Sequence, residues 1–212
     1  MDLIDFLRDR LLGPLPGLEA HRTFVPDIPD AITRLRPPPP NAKRSAVIVP
    51  IVFDENMEHR IVFTVRSENL RSHKGQISFP GGRLDEGEDE TSAALRELHE
   101  EIGIDPSDVI ILGGLSPLYI PPSNSAVTPL VGVLRNNGPW VMSEDEVSEV
   151  LDIPLSTFLH PNSIRYEQRM LQGKNVDVPQ WHIHPTIPLW GATAMILNEL
   201  LWLVNEYRAE KV

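Results

Sequence analysis

Residues 82–104 run from Gly82 through Glu88 to Arg96-Glu97-Leu98-His99-Glu100-Glu101-Ile102-Gly103-Ile104. The apolar residues Ala94, Leu95, Leu98 and Ile102 repeat at helical spacing, so the stretch predicts an amphipathic helix over about Glu88–Ile102 that ends at Gly103. Its polar face breaks local rules. Glu97, Glu100 and Glu101 stand at i, i+3 and i+4 and share that face. Glu97 and Glu101 repel each other, and all of them sit near the negative end of the helix dipole. A helix that places acids against its own electrostatics is holding something positive.

A divalent cation is the simplest such partner. The chain has no cysteine, so clustered carboxylates make a hard oxygen site suited to Mg²⁺ or Mn²⁺ rather than zinc. Just upstream, Phe79-Pro80-Gly81-Gly82-Arg83 is a tight glycine turn where backbone can approach a ligand, and the Gly81 carbonyl is a candidate to complete the metal shell.

Composition bounds the remaining possibilities. With 212 residues, 41% hydrophobic and 23% charged, the chain has ordinary globular values and room for a full core. Its formal net charge of −11 disfavours nucleic acid as a partner, because phosphate backbones need a basic surface. No apolar run is long enough to span a bilayer. Asp2 and Asp5 stand where a secretory leader would be basic, so a cytoplasmic location is expected.

In chain order, Asp2–Leu12 has the period of a short amphipathic helix, stopped by Gly13-Pro14. Residues 1–42, including the stiff Pro37–Pro40 run, are read as an arm packing on the domain or on a partner subunit, or, beyond the helix, as a poorly ordered tail; residues 43–212 are the domain proper. Ser45–Phe53 and His59–Val65 predict a strand pair, followed by a basic loop over Arg66–Lys74. After the central helix, Val109–Leu112, Leu115–Ile120 and Val127–Leu134 read as strands. Ser143 with Glu146 forms a capping box that predicts a helix over about Glu144–Leu151, and Leu155–Leu159 a further helical turn. Ile164–Leu171 and Val176–Ile183 predict a hairpin, and Trp190 to about Arg208 a long last helix. Strands and helices mix without a βαβ repeat, which predicts an α+β fold. The arm and the apolar last helix suit a homodimer and a monomer equally.

The sequence Gly82-x5-Glu88-x7-Arg96-Glu97-Leu98-x-Glu100-Glu101-x-Gly103-Ile104 resembles the box of the Nudix family at every defined position. The resemblance implies an α/β/α sandwich with a mixed β-sheet and hydrolysis of a diphosphate linked to another moiety, with Mg²⁺ or Mn²⁺. It implies Glu97, Glu100 and Glu101 as metal ligands, Arg96 as the group that orients Glu97, and Glu88 as its helper. Some members supply a further glutamate from a later loop. Glu146, or Glu144, is the candidate here, as an extra ligand or base; the other reading of both is a solvated helix N-terminus favoured by the dipole. Glu97 is the first choice of base and Glu146 the alternative.

A second stretch narrows the substrate. Thr64-x-Arg66-Ser67-x3-Arg71-x3-Gly75-x3-Phe79-Pro80-Gly81-Gly82 resembles the signature of the coenzyme A diphosphatase branch. Glu146-Val147 ahead of Pro154-Leu155, and Trp190-Gly191-x-Thr193-Ala194-x-Ile196-Leu197, extend that likeness. It implies cleavage of coenzyme A, its thioesters or disulfides to 3′,5′-ADP and 4′-phosphopantetheine. Such a substrate carries a separate 3′-phosphate, and Arg66, Arg71, Lys74 and Arg83 are the candidate phosphate ligands. Any of these arginines has the competing role of pairing with the protein's own glutamates. ADP-ribose or a dinucleotide as substrate, and a non-catalytic nucleotide sensor, are the alternatives. His73 is read as solvated. His182 and His184 share a strand face but lack a third ligand for a metal. Trp181 and Trp190 are read as core or groove walls, and Tyr119 and Phe79 as possible stackers or as buried side chains.

Overall fold

The structure is a computed structural model that describes residues 1–26, 37–70, 74–135, 138–171 and 173–211. Helix α1 (Leu3–Arg10) is capped by Asp2, whose side chain accepts from the Asp5 N–H. A second short helix, α2 (Leu18–Arg22), follows; five residues are too few to print a helical period on the sequence. Strands β1 (Lys43–Phe53), β2 (His59–Arg66), β3 (Ile77–Ser78) and β4 (Gly81–Arg83) lead into α3 (Glu90–Ile102). Then come β5 (Val109–Gly114), β6 (Leu118–Ile120), β7 (Ser125–Leu134) and β8 (Val147–Pro154). Helix α4 (Leu155–Leu159), the hairpin β9 (Ile164–Leu171) and β10 (Lys174–Trp181), and α5 (Gly191–Ala209) close the chain.

The main sheet is mixed. β1 and β7 run parallel from Lys43↔Ser125 to Ile51↔Val133, and β2, β4, β5, β6 and β8 join it antiparallel. Alternation along the central strands separates two cores. Ala46, Ile48 and Val62 pack with Ala94, Leu98 and Ile102 of α3. Val49, Ile51, Ile61 and Phe63 pack on the other face with α5, α1 and Trp181 of β10. Helices therefore cover both faces of the sheet, the α/β/α sandwich of an α+β fold. The apolar sides of α1 and α5 meet within the chain: Phe6 packs on Tyr207, and Arg10 Nε donates to Glu206 at 2.6 Å.

Two local features position the site. β1 and β2 pair only over Ile51–Phe53 and His59–Ile61 and then splay. Residues 77–83 fill the opening, with β3 joined to β2 and β4 to β1. The expected helix over Glu144–Leu151 is instead a turn followed by β8. Ser143 O accepts from the Glu146 and Val147 N–H groups, so the capping-box residues make one turn. The chain then extends, because β-branched Val147, Val150 and Ile153 lie along the open edge of β2. Pairing across the sheet overrides the local helix signal.

Candidate active site

The acidic face of α3 forms where the sequence places it. Asp89 caps the helix by accepting from the Ser92 N–H at 2.7 Å, and Gly103 ends it at φ 75°. Glu88 stays in the preceding loop rather than the helix, because its carboxylate is held by Arg96 Nε at 3.0 Å and Nη2 at 3.1 Å. The same guanidinium donates to Glu97 at 3.0 Å, to Glu100 at 3.0 Å and to the Arg83 carbonyl at 2.9 Å. Arg96 thus ties the glycine turn to the helix and fixes the Glu97 side chain. Its hydrogen bonds to Glu88 and Glu97 push its pKa up, and the paired Glu88 is held low.

Glu97, Glu101 and Glu146 bring one carboxylate oxygen each within 4.8 Å of one another. Glu146 arrives through the turn that replaced the expected helix. Ser143 N–H donates to the Glu101 carbonyl at 3.0 Å, and Val141 N–H to the Ile102 carbonyl at 3.0 Å. The orphan carbonyls at the end of α3 therefore anchor the segment that carries Glu146. Ser67 N–H donates to the Glu146 carbonyl at 2.8 Å and secures it from the β2 side. Glu100, named with Glu97 and Glu101 from the helical spacing, lies outside this cluster; it is 49% exposed and faces Arg96.

Arg66 is aimed by an irregularity. Val65 pairs with Glu149 and Arg66 with Val147, leaving Ser148 as an extra residue in β8. The bulge turns the Arg66 guanidinium toward Glu101, Nη1 to Oε1 3.7 Å. Glu101 itself is 2% exposed, and its Oε2 has no hydrogen-bond partner. Burial raises its pKa to about 8, against the opposing pull of Arg66. Burial also raises Glu97, with Arg96 opposing. A buried carboxylate with a free oxygen, beside two more acids, suits a cation and tolerates little else. In a chain without cysteine this donor set fits a divalent metal of hard character.

Gly82 leaves the space that the Glu97 carboxylate occupies. A Cβ there would collide with the Glu97 carboxylate. Gly82→Ala is expected to displace Glu97 and weaken divalent-cation binding about tenfold, while Tm without metal stays within a few degrees. Titration of Mn²⁺ followed by electron paramagnetic resonance measures this, and unchanged affinity would refute the packing argument. The Gly81 N–H opposes Glu101 and lowers its pKa.

A cleft of about 300 Å³ opens beside the carboxylates, lined among others by Arg66, Phe79, Gly81, Ile120, Trp190 and Thr193. Arg66 and Gly81 connect it to the cluster. Lys74 and Arg83 are exposed, and Arg71 and His73 lie outside the described residues. Phe79 is buried against Phe63 at a ring separation of 4.9 Å while also bordering the cleft. The Tyr119 hydroxyl donates to Asn124. Trp181 is core, stacked on Phe24 at 4.2 Å. His182 faces Glu167 at 3.0 Å and His184 faces Glu149 at 3.2 Å, so the two histidines are engaged separately.

Comparison with known proteins identifies the family. The NUDIX domain model matches residues 42–166. An uncharacterized Nudix hydrolase NudL of Escherichia fergusonii is 38% identical over 162 residues, covering 76% of this chain and 82% of the relative. Its Salmonella paratyphi B counterpart is 37% identical over the same extent. A MutT/nudix family protein from Enterococcus faecalis superposes with a TM-score of 0.55 at 14% identity, over 81% of this chain and 65% of that one, a likeness of fold. Among the described residues no helix is long and apolar enough to cross a membrane. The domain match over the sheet and α3, together with relatives named as hydrolases at this identity, shows that the chain belongs to the Nudix family and is a Nudix hydrolase.

Proposed function

We propose that this enzyme hydrolyses the diphosphate bond of coenzyme A and of its thioesters or disulfides. One observation carries the reading. The described residues of the stretch that resembles the coenzyme A branch form the wall joining carboxylates and cleft: Arg66 faces Glu101, Phe79 and Gly81 line the cleft, and Thr64 pairs with Ser78 of β3. In the reaction, a water oxygen bonds to one phosphorus and the bridging P–O bond breaks. The bridging oxygen leaves with the other phosphate, giving 3′,5′-ADP and 4′-phosphopantetheine from one coenzyme A and one water.

Glu97, Glu101 and Glu146 are the residues that would hold the metal, with the Gly81 carbonyl as an added candidate and Glu100 at the rim. Mg²⁺ or Mn²⁺ would neutralise diphosphate charge and acidify the attacking water. The protein's own groups do the rest. Arg96 holds Glu97 in place. Arg66 contributes positive charge where the diphosphate meets the cleft, with Arg71, Lys74 and Arg83 as further phosphate ligands. Glu97 or Glu146 takes the proton of the water.

Incubation with coenzyme A and Mg²⁺, with products identified by mass, tests the reading. The expected products are 3′,5′-ADP and 4′-phosphopantetheine, and their absence refutes it. Dephospho-coenzyme A is expected to react with kcat/KM at least about tenfold lower, since it lacks the phosphate that the extra cations serve. Equal rates would favour a Nudix hydrolase for another nucleoside diphosphate derivative, such as ADP-ribose or a dinucleotide.

A further inference from the structure

The cleft beside the carboxylates is continuous with them through Arg66 and Gly81. A diphosphate bound at Glu97, Glu101 and Glu146 therefore sends one of its two substituents into it. At about 300 Å³ the cleft is at the small end for ligand sites and takes one substituent, not both. Its chemistry decides which. Val47, Ile77, Phe79, Val127 and Ile196 make the walls apolar, and among the described lining residues Arg66 alone is charged. That guanidinium is turned toward Glu101. A phosphorylated ribose pushed into the cleft would bury a dianion against hydrocarbon, at a cost of several kcal/mol.

The polar side chains of the lining are largely committed to the protein. Thr193 Oγ1 already donates to the Ile77 carbonyl at 3.2 Å, and Ser78 Oγ shares a hydrogen bond with Thr64 Oγ1 at 3.2 Å. No side chain caps the start of α5 at Trp190, and Gly191–Thr193 line the cleft. Its first-turn N–H groups are thus available to a substrate acceptor, an amide carbonyl or an anionic oxygen alike. The Trp190 wall is braced from Arg169, whose guanidinium stacks on the indole at 4.8 Å and donates to Gln180 at 2.8 Å. These features describe a firm, apolar slot with a few amide-type donors.

We infer that the cleft receives the uncharged, amide-bearing pantetheine arm of the substrate, leaving the bisphosphorylated nucleoside outside it. The assignment rests on the coenzyme A reading and deepens it. An acyl group on the thiol lengthens the same arm, so the cleft is also the element that meets the acyl end of thioesters.

The test separates the two halves of the substrate. Calorimetric titration with Mg²⁺ present measures binding of 4′-phosphopantetheine and of 3′,5′-ADP to wild type and to Ala192→Phe, which narrows the cleft from the first turn of α5. The variant is expected to lose at least about tenfold in affinity for 4′-phosphopantetheine and to keep that for 3′,5′-ADP within about twofold. Equal losses, the reverse pattern, or no binding of 4′-phosphopantetheine to wild type overturns the assignment. Ala192→Leu carries the same comparison if the larger side chain prevents folding. Turnover of coenzyme A by wild type is scored separately: turnover with an unchanged Ala192→Phe profile sinks the cleft assignment alone, whereas no turnover sinks the coenzyme A reading itself.

Discussion

Glu101→Gln is expected to lower kcat by at least about a thousandfold at saturating Mg²⁺, because a buried ligand that helps offset the diphosphate charge is worth several kcal/mol in the transition state. The same change is expected to stabilise the metal-free protein. In the folded chain the Glu101 carboxyl has a pKa of about 8, above its ordinary 4.5, because it is buried. The folded state therefore keeps a proton that the unfolded chain releases. Stability falls as pH rises from about 4.5 to about 8 and levels off above that. Glutamine removes this loss, and near pH 8 the gain is on the order of a few kcal/mol, seen as a rise of several degrees in Tm. The two effects have opposite signs, so loss of activity is not a sign of misfolding. Thermal scans with and without Mg²⁺ complete the test: wild type rises with metal and the variant does not. Wild-type turnover by the variant would remove Glu101 from the metal site.

Why Glu101 and Glu97 are legible in the sequence, and Glu146 only as an open alternative, follows from where each gets its geometry. The first two depend on helix periodicity, and Gly103 and the Leu98–Ile102 stripe fix that locally. The long strands β1 and β7 and helix α5 are legible for the same reason, since each is an apolar run or stripe long enough to outweigh its surroundings. Glu146 depends on a non-local event: the end of α3 offers carbonyls, and Val141 and Ser143 take them. The local Ser143–Glu146 pattern read as the start of a helix, whereas the open edge of β2 takes Val147–Pro154 as a strand. Unpaired helix-end carbonyls were the available signal, since something must satisfy them. Spacing alone also could not separate Glu100 from Glu101. Both lie on one side of α3, and what divides them is Arg96, which holds Glu100 at the exposed rim.

The N-terminal arm yields the largest expected effect on stability. Glu199 of α5 is fully buried and takes the Gly17 N–H at 2.7 Å, the Ser116 N–H at 2.9 Å and hydroxyl at 2.6 Å, and His21 Nε2 at 3.2 Å. One carboxylate thus joins the arm, the β5–β6 connection and the last helix. Asn198 adds a bond from its amide to the Ala20 carbonyl at 2.7 Å. Glu199→Ala would leave buried N–H groups and His21 without their acceptor, at a cost of about 3–5 kcal/mol. Burial alone would raise the Glu199 pKa, but the hydrogen bonds from His21, Ser116 and Gly17 outweigh it and hold the group below its ordinary value. Its contribution is therefore present above about pH 4.5 and lost as pH falls through the folded-state value. Urea midpoints measured from pH 7 to pH 3 should show wild type losing this stability on acidification and Glu199→Ala starting without it, so the two curves converge at low pH. A variant within about 1 kcal/mol of wild type at pH 7 would mean that the apolar contacts of Leu3, Phe6, Leu7 and Phe24 hold the arm without the carboxylate.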